Sequence, residues 1–217
     1  MKGLLIKDFK LLKNQKNFFI ILIAIVIGMS AYMEDVSFII GYLTFICSMF
    51  TLSSISYDEF DNGYAFLFSL PITRKGYVLE KYSFGLIVGI ISWLFATTIA
   101  IIAGLMKGSI ILKDIIIIAL LELLVLVILL SVMLPFQLKF GGEKGRMAII
   151  CAVGIVFVIA FFVVKIAEFF NIDLIKIFNN LPVIRMDMLI AIITVITILL
   201  LLLSLKTSVY IINKKEF

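Results

Sequence analysis

Six apolar stretches, separated by charged connections, occupy almost the whole chain. Within each stretch Ile, Leu, Val and Phe follow one another without the strict alternation of a half-buried strand, which favours helices. A helix that crosses a bilayer needs about 20 apolar residues, and the stretches are close to that length. We therefore predict six spans, near Phe18 to Met33, Val36 to Ser56, Tyr82 to Met106, Ile115 to Pro135, Met147 to Phe169 and Met188 to Ile212.

Composition supports the same fold class. Hydrophobic residues make up 64% of the 217 residues, and the mean hydropathy is +1.25. A soluble globule of this size cannot bury so much apolar surface. In a bilayer only helices and closed barrels satisfy every backbone N–H and C=O group. The sequence thus predicts an all-α integral membrane protein in which residues 1–217 form a single transmembrane domain.

Lysine and arginine residues fall mostly on one side of the predicted spans. That side holds 14 of the 19 cations. Cytoplasmic loops retain cations because positive flanks resist translocation, so both termini are predicted to be cytoplasmic. The cations on the predicted cytoplasmic side are Lys2, Lys7, Lys10, Lys13, Lys16, Arg74, Lys75, Lys81, Lys139, Lys144, Arg146, Lys206, Lys214 and Lys215.

Several classes of function are disfavoured by what the sequence lacks. The net charge of +5 is spread over one membrane face, so membrane lipid is a simpler partner than nucleic acid. Histidine, the usual general base and the commonest metal ligand, is absent, and we predict no catalytic residue, no metal site and no cofactor. No G-x-x-x-x-G-K-S/T run is present, so any ATP must be bound by another subunit. Cys47 and Cys151 lack C-x-x-C spacing, and we expect no disulfide.

Residues 1–17 have the pattern of an amphipathic helix on the cytoplasmic membrane surface. One arc of the helical wheel carries Leu4, Leu5, Phe9, Leu11 and Leu12, and the opposite arc carries Lys2, Lys7, Lys10 and Lys13. Such a helix is either a topology anchor alone or an elbow helix that also touches a cytoplasmic partner. The pattern leaves both interpretations open.

Residues 57–76 connect spans two and three and are unusually aromatic for a connection. Three acidic residues come first, and acidic side chains suit the first turn of a helix. Phe60, Tyr64 and Leu67 then follow at i, i+4 and i+7, and Pro71 would stop the helix. We expect a short cytoplasmic helix over Tyr57 to Leu70. It either dips one face into lipid or inserts into a groove of a soluble protein.

Three weaker features concern the spans and the outer side. Gly85 and Gly89 form a G-x-x-x-G pair that permits close helix packing, inside the subunit or at a dimer seam. Glu122 is an intramembrane carboxylate, and such groups usually face protein or water. It lines a translocation path, reaches the outer interface or forms a hydrogen bond within the bundle. Residues 171–187 carry a helical stripe too short to cross a bilayer and are predicted to form an external segment.

The order of these features resembles the type-2 ATP-binding-cassette (ABC) exporter permeases. It is similar to the small bacterial six-span permeases that work with a separate ATPase. Two segments carry the resemblance, Tyr57-Asp58-Glu59 through Ser69-Leu70-Pro71-Ile72-Thr73-Arg74, and Phe140-Gly141-Gly142-Glu143-Lys144-Gly145-Arg146. The resemblance covers the full chain.

This resemblance implies a permease in a bacterial cell membrane that performs no covalent chemistry. Its partners would be a cytoplasmic ABC ATPase and a second copy of the permease or a related permease. A coupling helix between spans two and three would fit a cleft of the ATPase, and the external segment would cap the exit of the pathway. The implied coupling residues are Asp58, Glu59, Phe60, Asp61, Tyr64, Phe66, Leu67 and Arg74.

The substrate class suggested by the resemblance is an amphipathic peptide, a lipid or a drug. The alternative class of function is an ATP-independent membrane transporter, or a membrane scaffold that recruits a cytoplasmic partner. Secondary transporters usually show internal repeats and several midplane charges. Neither is evident in this sequence, in which Glu122 stands nearly alone.

Overall fold

The computed structural model describes residues 2–32, 37–60, 63–107, 112–142 and 186–215, together with the helical positions 144–145, 147–148, 150–151, 154, 158, 161–162 and 164–165. Within these residues the backbone is helical apart from short turns, which confirms the all-α class. The helices are α1 Lys2–Asn14, α2 Lys16–Tyr32, α3 Ser37–Glu59, α4 Gly63–Ser69, α5 Arg74–Lys107, α6 Leu112–Phe140 and α7 Met186–Lys214. Of the predicted external segment 171–187, all but positions 186 and 187 lie outside the described residues.

Four of the described helices have the length and composition of membrane spans, namely α3, α5, α6 and α7. Helices α1 and α2 pass the same test only as a pair, and they are bent by 63° where Gln15 separates them. The described residues thus hold four candidate spans, or five if the bent pair is one span. The span predicted over Met147 to Phe169 is described only at scattered positions, each of them helical.

Helices α6 and α7 lie side by side and run parallel. Ser204 of α7 donates a hydrogen bond to the carbonyl of Ser131 in α6. Lys215, just after α7, donates to the carbonyl of Leu138, close to the end of α6. Residue numbers therefore increase in the same direction along both helices. Helices α3 and α5 run antiparallel, as do α5 and α6.

One end of the bundle gathers most of the polar contacts. It contains α1 and α4, the last turns of α3, α6 and α7, and the first turns of α5. We call it the α4 end. Apolar packing continues beneath it in a cluster of buried side chains that includes Leu52, Ile55, Tyr77, Leu134 and Leu138. A second cluster, with Ile39, Leu43, Phe50, Phe84 and Ala96, fills the bundle on the side of α2.

Helix α5 begins at Arg74, well before the predicted start of span three near Tyr82. The Thr73 hydroxyl accepts a hydrogen bond of 3.0 Å from the N–H of Gly76, which is the geometry of a helix N-cap. The first turns of α5 are also buried, with Tyr77 and Val78 fully enclosed. Hydropathy missed these turns because their buried residues include charged ones.

The helix predicted over Tyr57 to Leu70 is wrong in its limits. Helix α3 continues through Glu59, and the separate short helix α4 covers only Gly63–Ser69. The acidic residues Asp58 and Glu59 therefore end α3 and do not start α4. Ion pairs made by both residues at the α4 end hold this turn in α3.

Helix α6 passes through Pro135 and ends at Phe140, beyond the predicted end of span four. Proline removes one helix hydrogen bond but does not have to end a helix inside a bundle. Leu134 and Leu138, on either side of it, are completely buried, so packing holds the last turn in place.

Gly85 and Gly89 lie at the contact of α5 with neighbouring helices of the same subunit. A Cβ atom added at Gly89 would stand 2.7 Å from a methyl of Leu126 in α6. One added at Gly85 would stand 3.1 Å from Leu130 in α6 and from Thr51 in α3. The glycine pair permits α6 to approach α5 closely, as small residues do between membrane helices.

We predict that Gly89→Val destabilises the protein by about 1–3 kcal/mol, the usual cost of overpacking a close contact. Gly28→Val in α2 is the matched control, because a Cβ there meets no atom within 4 Å. Thermal unfolding of the purified variants in detergent measures the effect. Equal midpoints for the two variants would contradict the close α5–α6 contact.

Candidate functional site

A cluster of charged side chains, buried except for the partly exposed Lys7, lies at the α4 end. It joins three helices, and its members are Lys7 and Asp8 of α1, Asp58 of α3, and Glu80 and Lys81 of α5. Buried charges are costly unless they are paired and hydrogen-bonded. The cluster therefore fixes the positions of these helices relative to one another.

Lys81 is the centre of this cluster, and it is completely buried. Its ammonium group donates a hydrogen bond to Asp8 and another, of 2.7 Å, to the hydroxyl of Ser54. It also lies 2.7 Å from Oδ2 of Asp58. Three acceptors from α1 and α3 thus converge on one cation of α5.

The two aspartates have further partners. Lys7 pairs with Asp58 and lies 3.1 Å from Asp8. The Tyr77 hydroxyl donates a hydrogen bond of 3.1 Å to Asp58. Glu80 is also fully buried, with one oxygen 3.7 Å from the Lys81 ammonium and no hydrogen-bond partner among the described residues. The cluster therefore holds three carboxyl groups against two ammonium groups.

Electrostatics keep Asp8 ionised in spite of its burial. Burial alone would raise the pKa of Asp8, but the charges of Lys81 and Lys7 and hydrogen bonds from Lys81 and Ser54 outweigh it, and the pKa is lowered. Because its pKa is lower in the folded state, the ionised Asp8 stabilises the fold at any pH above the unfolded pKa of about 3.9. This stabilisation is lost as the pH falls through the folded pKa. The attachment of α1 is thus intact at neutral pH.

Glu59 forms a second junction, between α3 and the ends of α6 and α7. One carboxylate oxygen accepts a hydrogen bond of 2.6 Å from the N–H of Gly142, and the other lies 3.1 Å from the Lys215 ammonium. Gly141 ends α6 with φ of 77°, a left-handed conformation that suits glycine. A Cβ at Gly141 would also collide with the Glu59 carboxylate. Both reasons favour glycine at this position.

Arg74 attaches the start of α5 to the end of α7. Its guanidinium donates to the carbonyls of Ile212, Asn213 and Lys215, at 3.0, 2.7 and 3.1 Å. These carbonyls belong to the last turn of α7 and the residue after it, where a cation is favourable. The guanidinium also lies 5.8 Å from the ring centre of Phe68 in α4.

Helix α4 buries one face and exposes the other. Tyr64 and Leu67 are buried, and the Tyr64 ring packs edge-on against Tyr77 at 5.8 Å between ring centres. Burial raises the pKa of the Tyr64 phenol. Phe66 points away from the bundle and is 72% exposed, and Phe60, just after α3, is 73% exposed. Phe60 and Phe66 are thus exposed aromatic side chains next to buried residues that ion pairs hold in place.

The predicted coupling residues thus divide into three groups. Phe60 and Phe66 are exposed, whereas Asp58, Tyr64 and Leu67 are buried. Glu59 and Arg74 are partly exposed and bound to the ends of α6 and α7. Asp61 lies outside the described residues.

Glu122, the predicted pathway candidate, lies far from this end. Its carboxylate packs against α3, where a Cβ added at Gly41 would stand 3.2 Å from both oxygens. The side chain therefore faces a neighbouring helix of its own subunit.

Sequence reasoning missed the buried members of the cluster. Asp8 was not singled out, although it lies on the apolar arc, at i+4 from Leu4 and four residues before Leu12. A carboxylate on the apolar face of an amphipathic helix is the signal that would have identified it. Lys81 was counted only as a loop cation, because it stands at the edge of the apolar run of α5.

The two segments that carry the family resemblance meet at the Glu59 junction, since Glu59 belongs to one of them and Gly141 and Gly142 belong to the other. The sequence profile of the ABC-2 family transporter proteins matches residues 3–213. The chain belongs to the ABC-2 transporter family. Neither a search of curated proteins nor a search of solved structures gave a match.

This membership confirms the recognition made from the sequence. An ABC-2 transporter protein of this kind is a multi-pass membrane permease, a component of an ABC transporter that associates with an ABC ATPase subunit. The charged cluster and the Glu59 junction are thus features of the ABC-2 permease at the end that carries α4.

We predict that Lys81→Met destabilises this ABC-2 permease by about 3–5 kcal/mol, because it removes the buried central cation and leaves Asp8 and Asp58 with the partly exposed ammonium of Lys7. Lys75→Met is the matched control, since Lys75 is exposed on the same helix. Unfolding in detergent measures stability, and limited proteolysis measures release of α1. Equal stability of the two variants would contradict the role of Lys81.

Proposed function

We propose that this ABC-2 permease is a six-span subunit of an ATP-driven exporter. Two such subunits, identical or related, form the translocation pathway between them, and a separate ATPase drives them through the α4 end. The observation that carries the proposal is the exposed Phe66 on a short helix whose buried face packs against α5 through Tyr64 and Tyr77, in a chain whose family works with ABC ATPases. Suitable substrates are amphipathic peptides, lipids or drugs.

The parallel contact of α6 and α7 supports six spans. Helix α6 ends at the α4 end, and α7 also ends there, at Lys215. The connection between them must therefore return the chain to the opposite end of the bundle. The described positions from 144 to 165 are helical, and the predicted span over Met147 to Phe169 would make this return. Together with α2, it would bring the total to six.

The charge pattern supports a cytoplasmic location of the α4 end. The described cations Lys7, Arg74, Lys81 and Lys215 lie at this end, and positive residues are retained on the cytoplasmic side. A cytoplasmic ATPase would then meet α1 and α4 directly. A groove of about 530 Å³ between these two helices, lined by Leu4, Tyr57, Phe66 and Leu70 among others, is available for a side chain of the partner.

We predict that cysteines introduced at Ser69, Lys144 and Lys214 are labelled only from the cytoplasmic side, and that cysteines at Asp35 and Lys107 are labelled from outside. The background variant carries Cys47→Ser and Cys151→Ser. A membrane-impermeant maleimide applied to intact cells and to inverted vesicles distinguishes the sides. Labelling at Lys144 from outside in intact cells would rule out the six-span topology.

Helix α4 is suited to transmit movement because its buried face is continuous with the fixed base. Tyr64 contacts Tyr77 of α5, and Lys215 lies 5.0 Å from the Tyr64 ring centre. A displacement of α4 would thus act on both α5 and the end of α7. Protein interiors are close-packed and transmit such displacements. This arrangement supports α4 as the coupling helix.

We predict that Phe66→Ala weakens ATPase association by about 30-fold, because truncating a buried aromatic anchor at an interface costs about 2 kcal/mol or more. Export falls in parallel, while the permease still inserts and folds. Phe38→Ala is the control, since Phe38 is also exposed but lies at the opposite end of α3. Co-purification of the ATPase and transport are measured at equal expression. Wild-type association and export by Phe66→Ala would exclude α4 as the coupling element.

Glu59→Lys is expected to weaken ATPase association and to abolish export. This substitution is less selective than Phe66→Ala, because Glu59 also binds Gly142 and Lys215 within the permease. Its effect on permease stability must therefore be measured beside its effect on association. A variant that unfolds would report on the junction, and one that folds without binding would report on the ATPase contact.

A further inference from the structure

An apolar cavity of about 310 Å³ lies where α1 bends into α2 and both helices meet α3 and α5. This volume is at the lower limit of ligand pockets, which hold about 300–1,000 Å³. The lining residues include Phe9, Leu12, Phe19, Leu43, Cys47 and Phe95. The cavity is distinct from the charged cluster, which lies against other residues of α1.

The chemistry of the lining selects an apolar occupant. The one hydroxyl in it belongs to Ser92, which donates to the carbonyls of Val88 and Gly89 at 2.7 and 3.0 Å. No charged side chain contributes to the lining. A hydrocarbon chain fits such a cavity, whereas a polar ligand would lose its hydrogen bonds to water without replacement.

The cavity opens at an uncovered side of α5. Ile91 and Phe95 on its rim are exposed, as is the neighbouring Leu94, and all three lie within predicted span three. In the bilayer, acyl chains are the molecules in contact with this rim. The opening therefore meets hydrocarbon and not water.

Two lysines flank the bend between α1 and α2 and are close in sequence to residues that line the cavity. Lys13 follows Leu12, which lines the cavity, and Lys16 stands one helical turn before Phe19, which also lines it. Both lysines are exposed, and neither forms an ion pair with any residue that the structure describes. A phosphate in the headgroup region would be attracted to this pair of unneutralised cations.

We propose that this cavity holds one acyl chain of an anionic phospholipid whose phosphate lies between Lys13 and Lys16. The apolar lining and the flanking cations match the two parts of that molecule. The bound lipid would fill the space beneath the bend and stabilise the angle between α1 and α2. Such a site differs from the general attraction of a basic surface to anionic membranes, because a single lipid molecule binds at a defined position.

Cys47 provides a reporter for the occupant, because it lines the cavity and is a free thiol. The chain with Cys151→Ser is purified in a steroid-based detergent that has no linear alkyl chain. A small uncharged maleimide is added, and the rate of Cys47 alkylation is measured with phosphatidylglycerol or with phosphatidylcholine of the same acyl chains. Native mass spectrometry counts the lipids bound.

We expect phosphatidylglycerol to slow the alkylation of Cys47 about ten-fold more than phosphatidylcholine does, with one lipid retained per chain. Lys13→Gln combined with Lys16→Gln should remove the difference between the two lipids. Lys206→Gln, an exposed lysine on α7, should leave it unchanged. Ile91→Trp at the rim should reduce lipid retention, and Ile90→Trp, on the same helix but outside the lining, should not.

Three outcomes would overturn the proposal. Equal protection by both lipids would show that the lysines do not select the headgroup. No protection by either lipid would show that no acyl chain enters the cavity. Protection that requires no lipid and increases with protein concentration would show that a second copy of the chain covers the opening.

Discussion

The buried ammonium of Lys81 is the group on which the α4 end depends. It has no access to water, so it must be satisfied by protein groups, and Asp8, Asp58 and Ser54 supply them. Leaving it unpaired would cost far more than a surface ion pair is worth. This requirement places α1 against the bundle, because Asp8 belongs to α1. The amphipathic N-terminal helix is thus a structural part of the bundle.

The Glu59 junction links the helices on the other side of the α4 end. Glu59 is adjacent to Asp58 in α3, yet the two carboxylates bind in different directions, one toward α1 and α5 and the other toward α6 and α7. The last turn of α3 therefore links both sides of the bundle. Helix α4 follows directly, so any partner that binds its exposed face would act on a point where several helices are tied together.

Different residues of helix α1 lie at the charged cluster, at the apolar cavity and at the bend toward α2. Asp8 enters the charged cluster, Phe9 and Leu12 line the apolar cavity, and Lys13 stands at the bend toward α2. On our proposals, one short helix would adjoin the ATPase-binding end on one side and a bound lipid on the other. The angle of α1 would then depend on both contacts, because displacing the helix would break ion pairs and also expose apolar surface.

Sequence alone determined the class of the protein, because long apolar runs in a bilayer permit little besides helices. It also located α4 in the connection after α3 and identified the family through two short segments. The ends of the helices at the α4 end could not be predicted as well. Charged residues such as Asp58 and Lys81 indicate the end of a span by hydropathy, but both are buried within helices.

Only the tertiary structure decided which charges meet. Asp8, Asp58 and Lys81 are far apart in sequence, and nothing in their local patterns predicts that they pair. The same holds for Glu59, whose predicted role was an exposed contact and whose observed partners are Gly142 and Lys215. Hydrophobic patterning specifies which segments enter the membrane, whereas partner choice among buried charges depends on how the helices pack, and that is a property of the whole bundle.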